Sequence, residues 1–243
     1  HTPYRALANK YKHILALGGP DNSVRGTAEG YGFQDVIHQT DIIARYNRPF
    51  WPFTGFNDED IKDYARDFPD LTTRPFDAVF TYNPHDWGAD IQIIMDAGNS
   101  ENGMLNTLRN EKNGGPDIPI YFSNQDLIWP NPYPLPRFGQ GAFRICCRRL
   151  YKELNGEPLR NYKYGKPHKL TYDYAHHILM DWHKRLGGKI GQSVKQKLPL
   201  LGTKPITNPP HEIFMVGDNP ESDIRGANNY GWNSCLVRTG IYN

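Results

Sequence analysis

Asp218, Asp223 and Lys166 are the residues whose types and surroundings could do chemistry. Asp218 follows a short apolar run at 213–216 that stops at Gly217. Asn219-Pro220 is turn chemistry, Asp223 is the next carboxylate, and Ile224-Arg225-Gly226-Ala227 opens a helix. In an open α/β sheet the carboxyl ends of the strands line the ligand crevice. Two carboxylates one turn apart at such an end suit a hard, oxygen-preferring cation such as Mg2+. The same pattern also reads as a surface turn with an Asp helix cap. Lys166 precedes Pro167 at the start of a long helical stretch, 170–186. The helix dipole disfavours a cation there, so this Lys either serves an anion or is simply solvated.

Other polar groups carry weaker signals. Ser123-Asn124-Gln125-Asp126 follows the end of an apolar run at 118–122, a position where ligands are met. His85 and Asp86 sit in a turn with no third ligand nearby, which favours capping over a metal or acid–base pair. His176 and His177 are adjacent and point to different helix faces, so they do not form an i, i+4 metal pair. Gly18-Gly19 follows a strand but lacks the G-x-G-x-x-G fingerprint of a dinucleotide site.

Positioning these groups requires alternating strands and helices. Apolar runs at 13–17, 32–37, 76–81, 118–122, 213–216 and 234–239 read as strands. Helices are expected over 24–30, from 58, over 89–97, over 142–154 and over 170–186, with a short helical piece at 104–109. The Pro- and aromatic-rich stretch 47–60 reads as a loop packed by its own aromatics or as a binding surface. Residues 187–210 read as a basic loop, solvated or facing an acidic partner.

The chain has 243 residues, room for one large or two small domains. Its 38% hydrophobic and 22% charged content is that of a globular protein, and a net charge of +2 gives no push toward nucleic acid or anionic membranes. The apolar runs are too short to span a bilayer. Cys146, Cys147 and Cys235 form neither a disulfide framework nor zinc spacing, which suits a reducing compartment. The sequence starts at His1 and shows no targeting segment, which leaves localisation open.

Gly165-Lys166-Pro167 before a helix, then Met215-Val216-Gly217-Asp218-Asn219-Pro220-Glu221-Ser222-Asp223, resembles motifs III and IV of the haloacid dehalogenase-like hydrolases. Segments 137–143, 164–175 and 239–243 narrow the resemblance to the cat eye syndrome critical region type of class IIA protein, in its fungal, mitochondrially assigned branch. The resemblance implies an α/β fold: a Rossmann-like core, of which only the second half is present, with an inserted α/β C2-type cap. Residues 1–10 would be a linker, 11–137 the cap and 138–243 the C-terminal half of the core.

The resemblance also implies a mechanism. A nucleophilic Asp in a D-x-D motif attacks a phosphoryl group to give an aspartyl-phosphate. Mg2+ offsets the developing charge. By motif, Asp218 and Asp223 become metal-site residues, Asp223 also supports catalysis, and Lys166 pairs with the nucleophile and phosphoryl oxygens. Asn124 and Asp126 fall on the cap segment that approaches the substrate. The family implies a small phosphorylated substrate, a mitochondrial location and a link to glycerophospholipid metabolism.

The chain departs from the family at the nucleophile. Asp58-Glu59-Asp60 has the D-x-D spacing but starts a helix and follows no apolar strand. The motif II Ser/Thr is also missing, and both belong before His1 in the family order. The expectation is therefore a Mg2+-dependent phosphatase whose nucleophile segment comes from elsewhere, from a core segment or another chain that completes the sheet. The alternative is a catalytically degenerate member acting as a structural or interaction subunit.

Overall fold

The computed structural model describes residues 2–110, 117–187, 203 and 212–242. Most of the expected basic loop at 187–210 lies outside the described residues. The chain runs through α1 (Thr2–Leu7), β1 (His13–Leu17), α2 (Ser23–Gly30), β2 (Asp35–His38), α3 (Gln39–Tyr46), α4 (Asp58–Tyr64), β3 (Ala78–Thr81) and α5 (Trp87–Asn99). It continues through β4 (Ile120–Phe122), β5 (Ile128–Trp129), β6 (Arg137–Phe138), α6 (Gln140–Asn155), β7 (Tyr162–Lys163) and α7 (Lys169–Gly187). It closes with β8 (Phe214–Gly217), α8 (Arg225–Tyr230) and β9 (Asn233–Leu236).

This is an α/β fold built on a parallel sheet. Five strands pair in the order β2-β1-β3-β4-β7, all parallel. Side chains alternate across a strand, so each strand feeds two cores. Leu15, Leu17, Ile37, Val79, Ile120 and Phe122 face α3, α5 and α6 through Ile42, Ile43, Ile93, Ile94, Phe143 and Cys147. Ile14, Ala16, Val36, Ala78, Phe80 and Tyr121 face the other way, toward Tyr4 and Leu7 of α1 and Val24 and Ala28 of α2. Both faces are covered, which is why the central strands read as continuous apolar runs.

The expected division between residues 137 and 138 falls inside this layer. The buried face of α6 belongs to the first core, and β7 pairs with β4 through Tyr121↔Tyr162 and Phe122↔Lys163. The first sheet therefore runs on to Lys163. Beyond it, β8 and β9 form a two-stranded parallel sheet against which α8 packs, with α7 packed on α8. Leu170 of α7 joins the second core beside α1, so the two parts share packing.

Two local readings change. Residues 104–109 form turns, not a helical piece; Asn102 and Asn106 hold positive φ and Gly103 is pressed onto the carbonyl of Phe76. Asp86 stands at the N-cap of α5, but its side chain makes no capping bond. It accepts instead from Thr54 Oγ1 and the Gly55 N–H at 2.6 and 3.0 Å, which ties the aromatic loop to the helix.

Asp90, one turn into α5, is fully buried, and neither carboxyl oxygen has a partner among the described residues. Burial, then the charge of Asp86, pushes its pKa well above the ordinary carboxylate value. The folded chain thus holds a proton that the unfolded chain releases near pH ~4. The associated stability is fully present below that pH and is lost as pH rises toward the folded-state pKa, at up to ~1.4 kcal/mol per pH unit. Asp90→Asn removes this slope. Its melting temperature should exceed the wild type at pH 8, and the gap should shrink as pH approaches 4; parallel melts at stepped pH read this directly.

Candidate active site

The strand β8 stops at Gly217 and hands the chain to Asp218. Asn219 then caps a π-helical turn, Pro220–Ile224, its Oδ1 accepting from the N–H groups of Glu221 and Ser222 at 3.0 and 3.4 Å. That turn folds Asp223 back beneath the strand end. Its Oδ2 accepts from the Asn219 N–H at 3.1 Å, and its Oδ1 receives Lys166 Nζ at 2.5 Å. The Asp223 side chain is only 3% exposed and that of Lys166 is 36% exposed. A buried carboxylate needs such a partner, so this pair links two motifs 57 residues apart.

Tyr172 of α7 supports the turn from below. Its hydroxyl reaches the carbonyls of Ser222 and Asp223 at 3.1 and 3.2 Å. Burial, and then the charges of Asp223 and Asp126, push its pKa up to about 12, so it remains a protonated donor. Asp173, buried one residue further along, accepts from Lys169 Nζ and the Tyr230 hydroxyl and fixes α8 against α7.

Asp218 is placed differently. Its Oδ2 accepts from the Ile241 N–H at 2.7 Å, while its Oδ1 has no hydrogen bond among the described residues. One carboxylate oxygen thus remains for a ligand. Both oxygens of Asp223 are already engaged by the protein. Among the described residues no group of three or more His, Cys, Asp or Glu is arranged to hold a metal. The chemistry present is a hard oxygen donor on Asp218 and, packed against the preceding Gly217, the buried Asp223 carboxylate with its Lys166 ammonium, donor types that fit part of a Mg2+ site.

The segment 123–126 reaches the same place. Asn219 Nδ2 donates to Asp126 Oδ1 at 3.4 Å across 93 residues. Asn124 Oδ1 accepts from the Asp126 N–H at 2.6 Å, which curls the segment into a tight turn. Gly165 holds φ +84°, and a Cβ there would lie 2.7 Å from the Ser123 carbonyl oxygen. This close approach sets Lys166 beside the turn. Lys166, Asp126, Asp218 and Asp223 are therefore gathered together with Asn219, whereas Asp58 and Asp60 are not. Those two occupy the exposed first turn of α4, where Asp60 and Asn57 form a reciprocal cap.

Sequence reasoning missed Gln140. It is buried, and its amide nitrogen donates to Thr81 O and Oγ1 at 2.9 and 2.6 Å while its Oε1 accepts from Ser123 Oγ at 2.7 Å. The flanking Gly139 and Gly141 send their N–H groups to Leu127 and Asp126. Gly-Gln-Gly was the available signal: two residues without side chains around one that hydrogen-bonds both ways. A Cβ on Gly141 would sit 2.3 Å from the Gln125 carbonyl oxygen. Gly141→Ala should displace the 125–126 turn and lower stability by about 1–3 kcal/mol, read from a denaturant midpoint at unchanged m-value.

The HAD-hydrolase-like family model matches residues 163–243, the part that carries Lys166, Asp218 and Asp223. The chain is 73% identical over its whole length to a mitochondrial hydrolase of Saccharomyces cerevisiae, of which it spans 68%. This chain belongs to the haloacid dehalogenase-like hydrolases. Within that family it is also 63% identical to a cardiolipin synthase (CMP-forming)/mitochondrial hydrolase fusion protein of Schizosaccharomyces pombe, of which it spans 37%. A solved structure, a possible sugar phosphatase of this superfamily from Cytophaga hutchinsonii, is similar at a TM-score of 0.49 and 16% identity, over 99% of this chain and 60% of that one.

Proposed function

We propose that this chain is the cap and the second half of the core of a Mg2+-dependent phosphatase that works through an aspartyl-phosphate, and that a segment outside the chain supplies the nucleophile. The Lys166–Asp223 pair beside Asp218 carries this reading. An ammonium fixed on a buried carboxylate at the strand end that also carries Asp218, with one oxygen of Asp218 available, suits a phosphoryl group. We place the cap at 11–164 and the core half from Gly165 onward, following the first sheet.

The roles follow from the contacts. Asp218, with one carboxylate oxygen left by the Ile241 contact, would hold the metal. Asp223 stays behind it, anchoring Lys166 and the backbone of Asn219. Lys166 offsets negative charge on the phosphoryl oxygens and the nucleophile. Asp126, fixed by Asn219 and the Asn124 turn, presents the cap side to the substrate. Mg2+, when bound, polarises the phosphoryl group and offsets its charge.

The second sheet supports the outside segment. On β8, Phe214 and Val216 are 59% and 60% exposed, and Leu236 on β9 is 38% exposed. An apolar strand left bare on a two-stranded sheet asks for further strands. The mitochondrial assignment and a link to phospholipid metabolism come from the relatives' names and belong to this proposal.

Reconstitution tests it. The chain, mixed with or fused to a segment carrying D-x-D after an apolar strand, should release phosphate from a phosphomonoester only with Mg2+. Asp218→Asn should abolish release. A completed protein that folds and hydrolyses no ester in a broad phosphomonoester panel would sink the reading and favour a structural subunit.

A further inference from the structure

A second cavity lies away from these residues, between α3, α5 and the turn at 105–108, with a volume of about 540 Å³. That is the size of a small-molecule site. Its walls include three aromatic rings, Tyr46, Phe50 and Trp51, with Leu105 and Ile93 beneath. Asp96 of α5 is the one ionisable carboxylate in the wall. One of its oxygens accepts from Gln92 Nε2 at 2.9 Å, and no Lys or Arg pairs with it among the described residues. Trp51 is 7% exposed, yet its indole N–H has no partner. A buried donor left unmade is costly. Tyr46 is held in place by Asn106 Nδ2, which meets its hydroxyl at 2.6 Å.

Aromatic faces attract a cation through their quadrupoles, and a carboxylate adds a full opposite charge. The neighbouring Arg45 is exposed and does not belong to the wall, and no Lys or Arg of the described residues stacks on these three rings. We propose that this cavity binds a small organic cation of the alkylammonium class, its charge set among the three rings and Asp96. The site is independent of the phosphoryl chemistry. It gives the exposed Phe50 of the aromatic loop a role that core packing does not explain.

Choline is the probe, and 3,3-dimethylbutan-1-ol is its neutral isostere. Titrations at physiological salt, followed by tryptophan fluorescence and calorimetry, should show saturable choline binding at least ~10-fold tighter than the alcohol. Asp96→Asn should reduce that preference to the part the rings supply while leaving alcohol binding unchanged; Asp96 is exposed, and a thermal melt checks that the variant is folded. Phe50→Ala, at a ring 71% exposed, should weaken choline without affecting the fold. No saturation by choline up to ~20 mM, equal affinity for both probes, or indifference to Asp96→Asn overturns the proposal as a whole.

Discussion

Replacing Arg25 with alanine should lower the unfolding free energy by about 3–5 kcal/mol, enough to unfold a marginal domain. Arg25 lies on α2 with no exposed surface, and its Nη2 meets Asp41 Oδ1 at 2.8 Å and the Tyr64 carbonyl at 3.0 Å. Asp41 also receives the N–H groups of His38 at 2.8 Å and Arg66 at 2.7 Å. One carboxylate thus joins α2, the start of α3 and the chain leaving α4. Burial raises the Asp41 pKa even though Arg25 and these N–H groups pull the other way. The pair is held in a costly environment, so removing one partner exposes the whole penalty of the other. His38, pushed down to about 3 by burial and then by the Arg25 charge, stays neutral beside them.

The measurement is a double-mutant cycle in urea. Arg25→Ala and Asp41→Ala should each be strongly destabilising, and together less so than their sum, with a coupling of about 1–3 kcal/mol. Full recovery is not expected in the double variant, because the N–H groups of His38 and Arg66 then lose their acceptor. Strict additivity would mean that the pair contributes nothing beyond its separate contacts.

This cluster shows where sequence reading stopped. Strands β1, β3 and β4 were legible because strands buried on both faces give short unbroken apolar runs such as His13–Leu17. Asp218, Asp223 and Lys166 were legible because a carboxylate after a strand–Gly end, and a Lys before a helix, are local patterns. Arg25–Asp41 and Asp126–Asn219 were not. Each joins residues whose own neighbours give no hint of the other, and the second spans 93 positions. The reach of the first sheet past 137 was half legible: 162–165 reads as short and strand-like, but its pairing with β4 joins residues about 40 positions apart. The Asp58-x-Asp60 stretch reads as helix-initiating in the sequence, and the structure places it in the first turn of α4. The aromatic loop was half legible: Trp51 and Phe56 enter the core as expected, while Phe50 and Phe53 stay outside.

Lys166→Ala should have the largest effect on function, and it should act twice. In the completed enzyme we expect phosphate release to fall by about 10²–10³-fold or more, the scale for losing one preorganised charge-stabilising donor. In the chain alone we expect a stability loss of about 2–4 kcal/mol, because Asp223 would keep a buried charge without its ammonium. The lower end reflects the partial exposure of Lys166, which lets water screen the pair. The two effects can be separated. Asp223→Asn removes the charge that needs Lys166, so the stability cost of Lys166→Ala should shrink sharply in that background, while activity stays lost. Lys166→Arg keeps a cation but replaces a point charge with a planar fork, and should recover stability more than turnover. If Lys166→Ala lowered stability but left turnover intact, Lys166 would be a prop for Asp223 and not a phosphoryl ligand. If it lowered turnover alone, Lys166 would act on the phosphoryl group without holding Asp223 in place.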